Sequence, residues 1–336
     1  MDNELYRSYK SPYKSVLFIL SGGVSDFRLG LPARHFADDS TYEVKVTMEV
    51  HQYLSMHFDV IVCSRPNPDV CRMLDMFIDA GVKVIIDMDD DFYSIPKDNP
   101  CYESMGPGHI GYHDILKKTI EHAALLTVAM PELKKRYGRD DAVVIKNCWD
   151  EDNKLWSSRP PHDYIGIGWA GTNTHHADFD LVQNLLVEAV QKYPQTKLVI
   201  GADPTMYDRF KDLDETRKLF IPGMPFSYFP AFYHYIDIGI APLQDNVFNR
   251  AKSDIKLVEF GAAGIPYVAS NVLPYESWKD GGRLVSNEGE WRSALDGYIT
   301  MTADSRKLIG AAGHKVAMGR TAKDMTRQWQ EVIDKL

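Results

Sequence analysis

The chain has 336 residues, 44% of them apolar and 25% charged, which is the make-up of a soluble globular protein with room for two domains of roughly 150 residues. No apolar run approaches the roughly 20 residues that span a bilayer, and MDNELYRSYKSPYKS has no apolar core behind a basic start, so neither a membrane span nor a signal peptide is expected. A net charge of −9 offers no global pull on nucleic acid, and Cys63, Cys71, Cys101 and Cys148 lack the CxxC spacing of zinc sites and fit a reducing cytoplasm.

In chain order, residues 15–20 form a first strand running straight into Ser21-Gly22-Gly23. That glycine pair lets the backbone turn tightly and bring N–H groups near a ligand. Pro32 opens a helix through Phe36, a second strand lies within 42–50, and residues 58–63 form a third. Residues 68–80 read as a helix closed by Gly81, and 82–86 as a fourth strand whose tail is Asp87-Met88-Asp89-Asp90-Asp91. A loop rich in Pro and Gly reaches about Gly111, and a helix follows through Ala124. Residues 125–129, a short helix from Pro131 and residues 142–145 complete a first domain over 1–150. The charged stretch 149–163, with Pro160-Pro161, reads as a linker.

The pattern then restarts. Residues 165–170 form a strand ending in Gly171-Thr172, residues 179–193 a helix, 197–200 and 220–221 strands, and 226–235 a helix. Next comes a strand at 238–243 and a polar loop carrying Asn249, Arg250, Lys252 and Ser253. A helix with Ile255, Leu257, Val258 and Phe260 near one face follows, closed by Gly264 before a strand at 265–269. The second domain is expected over 164–315. An amphipathic helix over 316–336, with Met325, Trp329 and Ile333, is expected to pack back on the first. Strands that are apolar at nearly every position, alternating with helices, mean parallel sheets covered on both faces. The fold class is therefore α/β, two Rossmann-like domains in tandem.

Two stretches carry the chemistry of an anion site. Gly171-Thr172-Asn173-Thr174-His175-His176 lies between a strand and a helix, where a doubly wound sheet binds phosphate; a tight turn with exposed histidines is the plainer alternative. Arg250, Lys252 and Lys256 bring three cations to the mouth of a strand, suited to a diphosphate through charge-assisted hydrogen bonds. Cations at a helix N-terminus oppose its dipole, so a purely stabilising explanation is poor there. Glu259, three residues after Lys256 and seven after Lys252, shares their helical face. It can accept two ribose hydroxyls, or pair with Lys256, or both.

KSDIKLVEFGAAGIPYVAS, with the preceding DIGIAPL and the earlier GWAGTNTHHADF, resembles the nucleotide-sugar-binding half of GT-B glycosyltransferases of the GT4-like type. The resemblance implies that Glu259 holds the donor ribose and that Arg250, Lys252 and the Gly171-Thr172 turn hold the diphosphate, with Asn249, Ser253 and Lys256 beside them. It places Ala251 where the family often carries a sugar-contacting glutamate, His176 where a phosphate-binding lysine is common, and Gly223 and Met224 where the backbone reads the base. IIDMDDDFYSIPKDNP and LLTVAMPELKKRYG resemble a subgroup that includes bacterial polysaccharide enzymes and phage-encoded sugar transferases. The implied architecture is two Rossmann-like domains facing each other across a cleft.

Asp87-Met88-Asp89-Asp90-Asp91 keeps three readings open: acceptor or catalytic contacts through Asp89 and Asp91, a divalent-metal DxD, and capping of the next turn. His109 in the following loop could donate to a leaving phosphate or a sugar hydroxyl. The expected activity is transfer of a sugar from a nucleoside diphosphate sugar, a UDP-sugar first among candidates, to an acceptor hydroxyl, with retention and without a metal or tightly bound cofactor. The acceptor would be a glycan or a hydroxymethylated base of phage DNA, placing the protein in a cytoplasm, the host's if phage-encoded. A nucleotide-sugar-binding module without activity and a nucleoside diphosphate sugar epimerase of the same fold are the alternatives. Oligomeric state is left open.

Overall fold

The computed structural model describes residues 13–157 and 160–336; the first twelve residues, and residues 158 and 159 of the expected linker, lie outside the described residues. The chain divides into two compact units. One comprises the described residues up to Asp89 with Gly111–Lys146 and Ala322–Leu336, and the other comprises Asp90–Ile110 and Asn147–Thr321.

The first unit carries β1 (Lys14–Ile19), β2 (Tyr42–Thr47), β3 (Val60–Ser64), β4 (Lys83–Met88), β5 (Leu125–Val128) and β6 (Val143–Val144). They form one sheet in the order β2-β1-β3-β4-β5-β6, every pair parallel. β3 is buried at every position, as a strand covered on both faces must be. β2 lies at the edge, and its exposed Glu43 and Lys45 guard it against pairing with another chain. The helix Pro68–Asp79 starts where the Asn67 side chain accepts from the Val70 N–H at 2.9 Å, and it buries Cys71, Leu74 and Phe77.

A fully buried ion pair sits at the heart of this unit. Arg28 Nε and Nη2 donate to the two carboxylate oxygens of Asp87 at 2.7 and 2.5 Å, and Nη1 donates to the Ile145 carbonyl at 2.6 Å. Thr127 Oγ1 donates to Asp87 Oδ1 at 2.7 Å. The helix Ala322–Asp334 buries Met325, Trp329 and Ile333, and Trp329 Nε1 donates to the Arg28 carbonyl at 3.0 Å. The expected continuous helix from 316 is instead interrupted: Ala303–Ala317 ends, a 3-10 turn spans Met318–Arg320, and Thr321 is extended. Gly319 favours that break, and the Arg320 guanidinium is held there on Asp254 by bonds of 2.9 and 2.8 Å.

The second unit carries β7 (Ile165–Gly171), β8 (Thr196–Ala202), β9 (Lys218–Pro222), β10 (Ile238–Ala241), β11 (Tyr267–Ser270) and β12 (Gly282–Val285). Their order is β12-β11-β10-β7-β8-β9, again parallel throughout. Trp169, Phe179, Leu186, Ile200, Ile240 and Val268 meet in its core. Residues 226–235 form a 3-10 helix, because Pro230 inside it has no N–H to give. The helix expected from 179 starts at Gln183, after the short helix His176–Phe179 and a tighter turn in which the Val182 N–H reaches the Phe179 carbonyl at 3.0 Å.

β7 runs so close to the segment entering β10 that a Cβ on Gly166 would strike the Tyr235 carbonyl oxygen. Backbone cannot step aside as a flexible side chain would. Gly166→Ala is therefore expected to destabilise the second unit by about 1–3 kcal/mol, read as a lower midpoint in denaturant. Among the described residues no helix is long and apolar enough to cross a membrane. Finally, β7 lies between β8 and β10, so the loops leaving β7 and β10 flank a topological switch point, where doubly wound sheets bind their ligands.

Candidate functional site

At that switch point the loop leaving β7 begins with Gly171, where a Cβ would collide with the Trp169 ring. Thr172 leads into a 3-10 turn, Asn173–His175, anchored by the Asn173 N–H on Asp203 Oδ2 at 2.9 Å. The four-residue helix that follows carries little aligned dipole, so anion binding here falls on individual N–H groups and side chains. His176 has both ring nitrogens engaged, Nδ1 with Arg209 Nη1 at 2.9 Å and Nε2 with Thr205 Oγ1 at 3.2 Å. His175 differs: Nδ1 meets Asp178 Oδ2 at 2.8 Å, and Nε2 takes no hydrogen-bond partner among the described residues.

The loop leaving β10 is tied to the same place. Buried Asp178 accepts on Oδ1 from the Gln244 N–H at 2.8 Å and from Asn249 Nδ2 at 3.0 Å. Asn249 thereby braces the two loops together. Ser253 Oγ accepts from Asn147 Nδ2 at 2.8 Å. Arg250 is exposed and grips Asp245 at 2.6 and 2.9 Å, and that bond holds the Asp245 carboxyl below its usual range. Lys252 is largely buried, with Nζ 3.3 Å from both oxygens of Asp90 and 4.4 Å from the centre of the Phe248 ring.

The helix Ile255–Ala262 presents Lys256 and Glu259 one turn apart, Nζ to Oε2 at 3.1 Å. Tyr233 O–H also donates to Glu259 Oε2, at 2.6 Å. Burial and the neighbouring carboxylate push the Tyr233 phenol well above its usual range, so it remains a donor. Glu259 is buried, yet Oε1 accepts from nothing among the described residues. A carboxylate fixed by two donors on one oxygen, with the other left over, is pre-set to receive hydroxyl hydrogens. Gly223 and Met224 follow β9, where a Cβ at Gly223 would meet little.

Between the two loops lies a small open depression, walled by Thr174, His176, Gln244 and Phe248 and, from the segment Asp90–Ile110, by Pro96 and Asn99. Asn99 Nδ2 donates to the Thr174 carbonyl at 3.4 Å. The structure thus gathers Gly171, Thr172, His176, Asn249, Lys252, Lys256 and Glu259 around one switch point of the second unit, with Arg250 on the same loop, exposed and paired with Asp245.

In the first unit, Gly22 and Gly23 follow β1 with φ of 77° and 58°, a left-handed turn that glycine alone adopts readily. Arg65, at the end of β3, is itself held at φ 45°. Its Nη2 donates to the Gly22 carbonyl at 2.7 Å, its Nε to Ser21 Oγ at 3.1 Å, and Nε lies 3.5 Å from buried Asp89 Oδ1. Gly22 and Asp89 are so joined through a residue that the sequence alone did not single out. Its signal was a cation just beyond the apolar run Val60–Cys63, at the β1/β3 switch point.

The acidic run splits among separate partners: Asp87 on Arg28, Asp89 on Arg65, Asp90 on Lys252. Asp91 caps the 3-10 turn Phe92–Ser94, accepting from the Tyr93 N–H at 3.1 Å and from Ser94 Oγ. His109 Nδ1 approaches the Ile110 carbonyl at 3.2 Å. Asp91 and His109 belong to the second unit and Asp89 to the first.

Among solved structures, the chain is similar to Anabaena HepE in complex with UDP and glucose, with a TM-score of 0.65 and 15% identity over 96% of this chain and 100% of that one. It is also similar to sucrose-phosphate synthase of Thermosynechococcus elongatus, with a TM-score of 0.70 and 12% identity over 96% and 98%. These likenesses show the fold, GT-B, with two Rossmann-like domains. A curated relative, TuaH of Bacillus subtilis (strain 168), which carries the name of a teichuronic acid biosynthesis glycosyltransferase, is 33% identical over 111 residues. That match spans 32% of this chain and 27% of the relative's length. No family model matches the chain.

Proposed function

We propose that this chain is a glycosyltransferase that moves a sugar from a UDP-sugar to a hydroxyl of a glycan acceptor, with retention of configuration and without a metal. The observation that carries this reading is Glu259, buried and bonded on Oε2 by Tyr233 and Lys256 with Oε1 left over beside a cationic switch-point loop. That is a receptor for a ribose next to a diphosphate. The presence of UDP in the HepE complex, and the sugar-transferring name of TuaH, support the same donor class and reaction.

In this reading the second unit holds the donor. Glu259 Oε1 accepts from the ribose hydroxyls, and Gly223 and Met224 offer their backbone to the base. Lys252, Lys256 and the N–H groups of the Gly171-Thr172 turn face the diphosphate. As the glycosidic bond to phosphate lengthens, negative charge grows on the departing oxygen. Fixed cations aimed at that oxygen lower the barrier more than they stabilise the bound donor. The first unit supplies the acceptor side through Asp89, and Arg65 links Asp89 to the Gly22-Gly23 turn, whose backbone is offered to the donor. Asp91 is an acceptor contact that also serves as a turn cap, and His109 donates to the leaving phosphate or a sugar hydroxyl.

A glycan is favoured over modified DNA because the chain's net charge is −9 and a duplex acceptor needs a basic groove. The direct test is incubation with a panel of UDP-sugars, with UDP release followed with and without oligosaccharide acceptors. Acceptor-dependent release is expected. Binding without release under any acceptor would favour a binding module, and a changed sugar without acceptor would favour an epimerase. Glu259→Ala should lower UDP affinity about tenfold or more, as removal of a hydrogen-bonded charged partner does, measured by calorimetry on a folded variant.

A further inference from the structure

His175 and His176 are adjacent in sequence, but the fold treats them oppositely. His176 is consumed on both nitrogens by Arg209 and Thr205. His175 is mostly buried against the edge of the Trp169 ring, its centroid 5.7 Å away, and among the described residues it spends only Nδ1, on Asp178 at 2.8 Å. Asp178 is in turn fixed by the Gln244 N–H and Asn249, so the imidazole cannot readily turn over. A brace of this kind fixes the tautomer: Nδ1 carries the hydrogen toward the carboxylate, and Nε2 is left as the reactive nitrogen.

Resting on the donor reading above, we propose that His175 binds the donor's diphosphate through Nε2, taking up a proton from solvent as the diphosphate arrives and returning it when the nucleotide leaves. The charges around the ring decide the direction. Burial, with Lys252 and Lys256 on the loop and helix beside it, holds the free imidazole below its usual value, against the raising effect of Asp178. The ring is therefore neutral at neutral pH, with Nε2 unprotonated and a poor partner for an anion. Asp90 on Lys252 and Glu259 on Lys256 complete the charges of the neighbouring elements. A diphosphate brings two negative charges to the same place, which opposes the lysines and raises the imidazole toward protonation. The imidazolium then donates from Nε2 to phosphate and from Nδ1 to Asp178. The step is a protonation: an N–H bond forms on Nε2 with a proton given up by the buffer, the proton returns to it when the nucleotide leaves, and no bond of the donor breaks.

The linkage has a definite sign. The bound state holds one more proton than the free state, so affinity falls as pH rises through the window between the lowered free value and the raised bound value, by up to about tenfold per pH unit. Neither phosphate of a diphosphate diester titrates near neutrality, so UDP-glucose is the cleaner probe and UDP the second.

The experiment is calorimetric titration of the whole chain with UDP-glucose and with UDP, in buffers of different ionisation enthalpy between pH 6 and 8. The expected result is net uptake approaching one proton, with affinity falling as pH rises. His175→Gln, confirmed folded by its melting profile, should bind more weakly at the acid end, lose the uptake and show a flat pH profile. Binding by the wild-type chain with no proton uptake would overturn the role of His175 while leaving the donor site intact, as would a His175→Gln variant that keeps the wild-type slope. Failure of either nucleotide to bind at all would overturn the donor reading and this inference together.

Discussion

Arg28→Ala should destabilise the first unit by about 3–5 kcal/mol, enough to consume much of the stability of an ordinary domain. The guanidinium is fully buried and makes three short bonds, two to Asp87 and one to the Ile145 carbonyl. Removing it leaves a buried carboxylate in the middle of a parallel sheet with, among the described residues, no counter-charge bonded to it and only the Thr127 side chain still donating to it. The vacated volume adds a cavity cost. A double variant, Arg28→Met with Asp87→Leu, separates the causes. If the loss comes chiefly from the stranded carboxylate, the double variant recovers most of the stability, because a buried pair is worth little over apolar residues of similar size. Urea unfolding of both variants reads the difference. A near-neutral Arg28→Ala would show that water reaches Asp87.

Lys252→Ala should weaken UDP-sugar binding about tenfold to a hundredfold, the range for losing a charge-assisted hydrogen bond of about 1.5–3 kcal/mol. Lys252 is singled out over Arg250 because it is held largely out of water, while Arg250 sits on the surface engaged with Asp245. Its partner makes the prediction sharper. If, as proposed, the donor's phosphate binds Lys252, it meets the Asp90 carboxylate already there, and Asp90 competes with substrate. Asp90→Asn should tighten nucleotide binding by up to about fivefold, since a part-exposed ion pair is worth up to about 1 kcal/mol. Opposite shifts from the two variants, measured by calorimetry, would be hard to reconcile with a merely solvated charge cluster. Equal affinity for wild type and Lys252→Ala would remove Lys252 from the site.

The parallel sheets were legible because burial on both faces writes strands as unbroken apolar runs. Val60–Ser64 and Ile238–Ala241 announce themselves that way, and Asn67-Pro68 announces a helix start. β12 was not anticipated, since Gly282–Val285 offers two apolar residues behind an arginine and gains its identity only from pairing with β11. The 3-10 form of 226–235 was readable in principle from Pro230, but the aromatic density around it imitates a buried helix. Lys252, Lys256 and Glu259 were visible as a cluster because they are close in sequence. Their partners were not. Asp90 lies 162 residues from Lys252, and Tyr233 lies 26 from Glu259, and only the fold brings them in. Likewise nothing in His175-His176 says which ring the surroundings leave half-satisfied.

The helix Ala322–Asp334 also bears on how the protein is made. Trp329 and Ile333 close the core of a unit that also contains β1, so the strands made early cannot complete their packing until Ala322–Asp334 has left the ribosome. The second unit, made of the early segment Asp90–Ile110 and of Asn147–Thr321, has all its strands available sooner. Synthesis order and folding order are thereby inverted: the later unit can close while the earlier one waits with Trp329's place vacant. A chain cut short near residue 320 would lose a folded first unit, and would expose to chaperones and proteases the very sheet that was synthesised first.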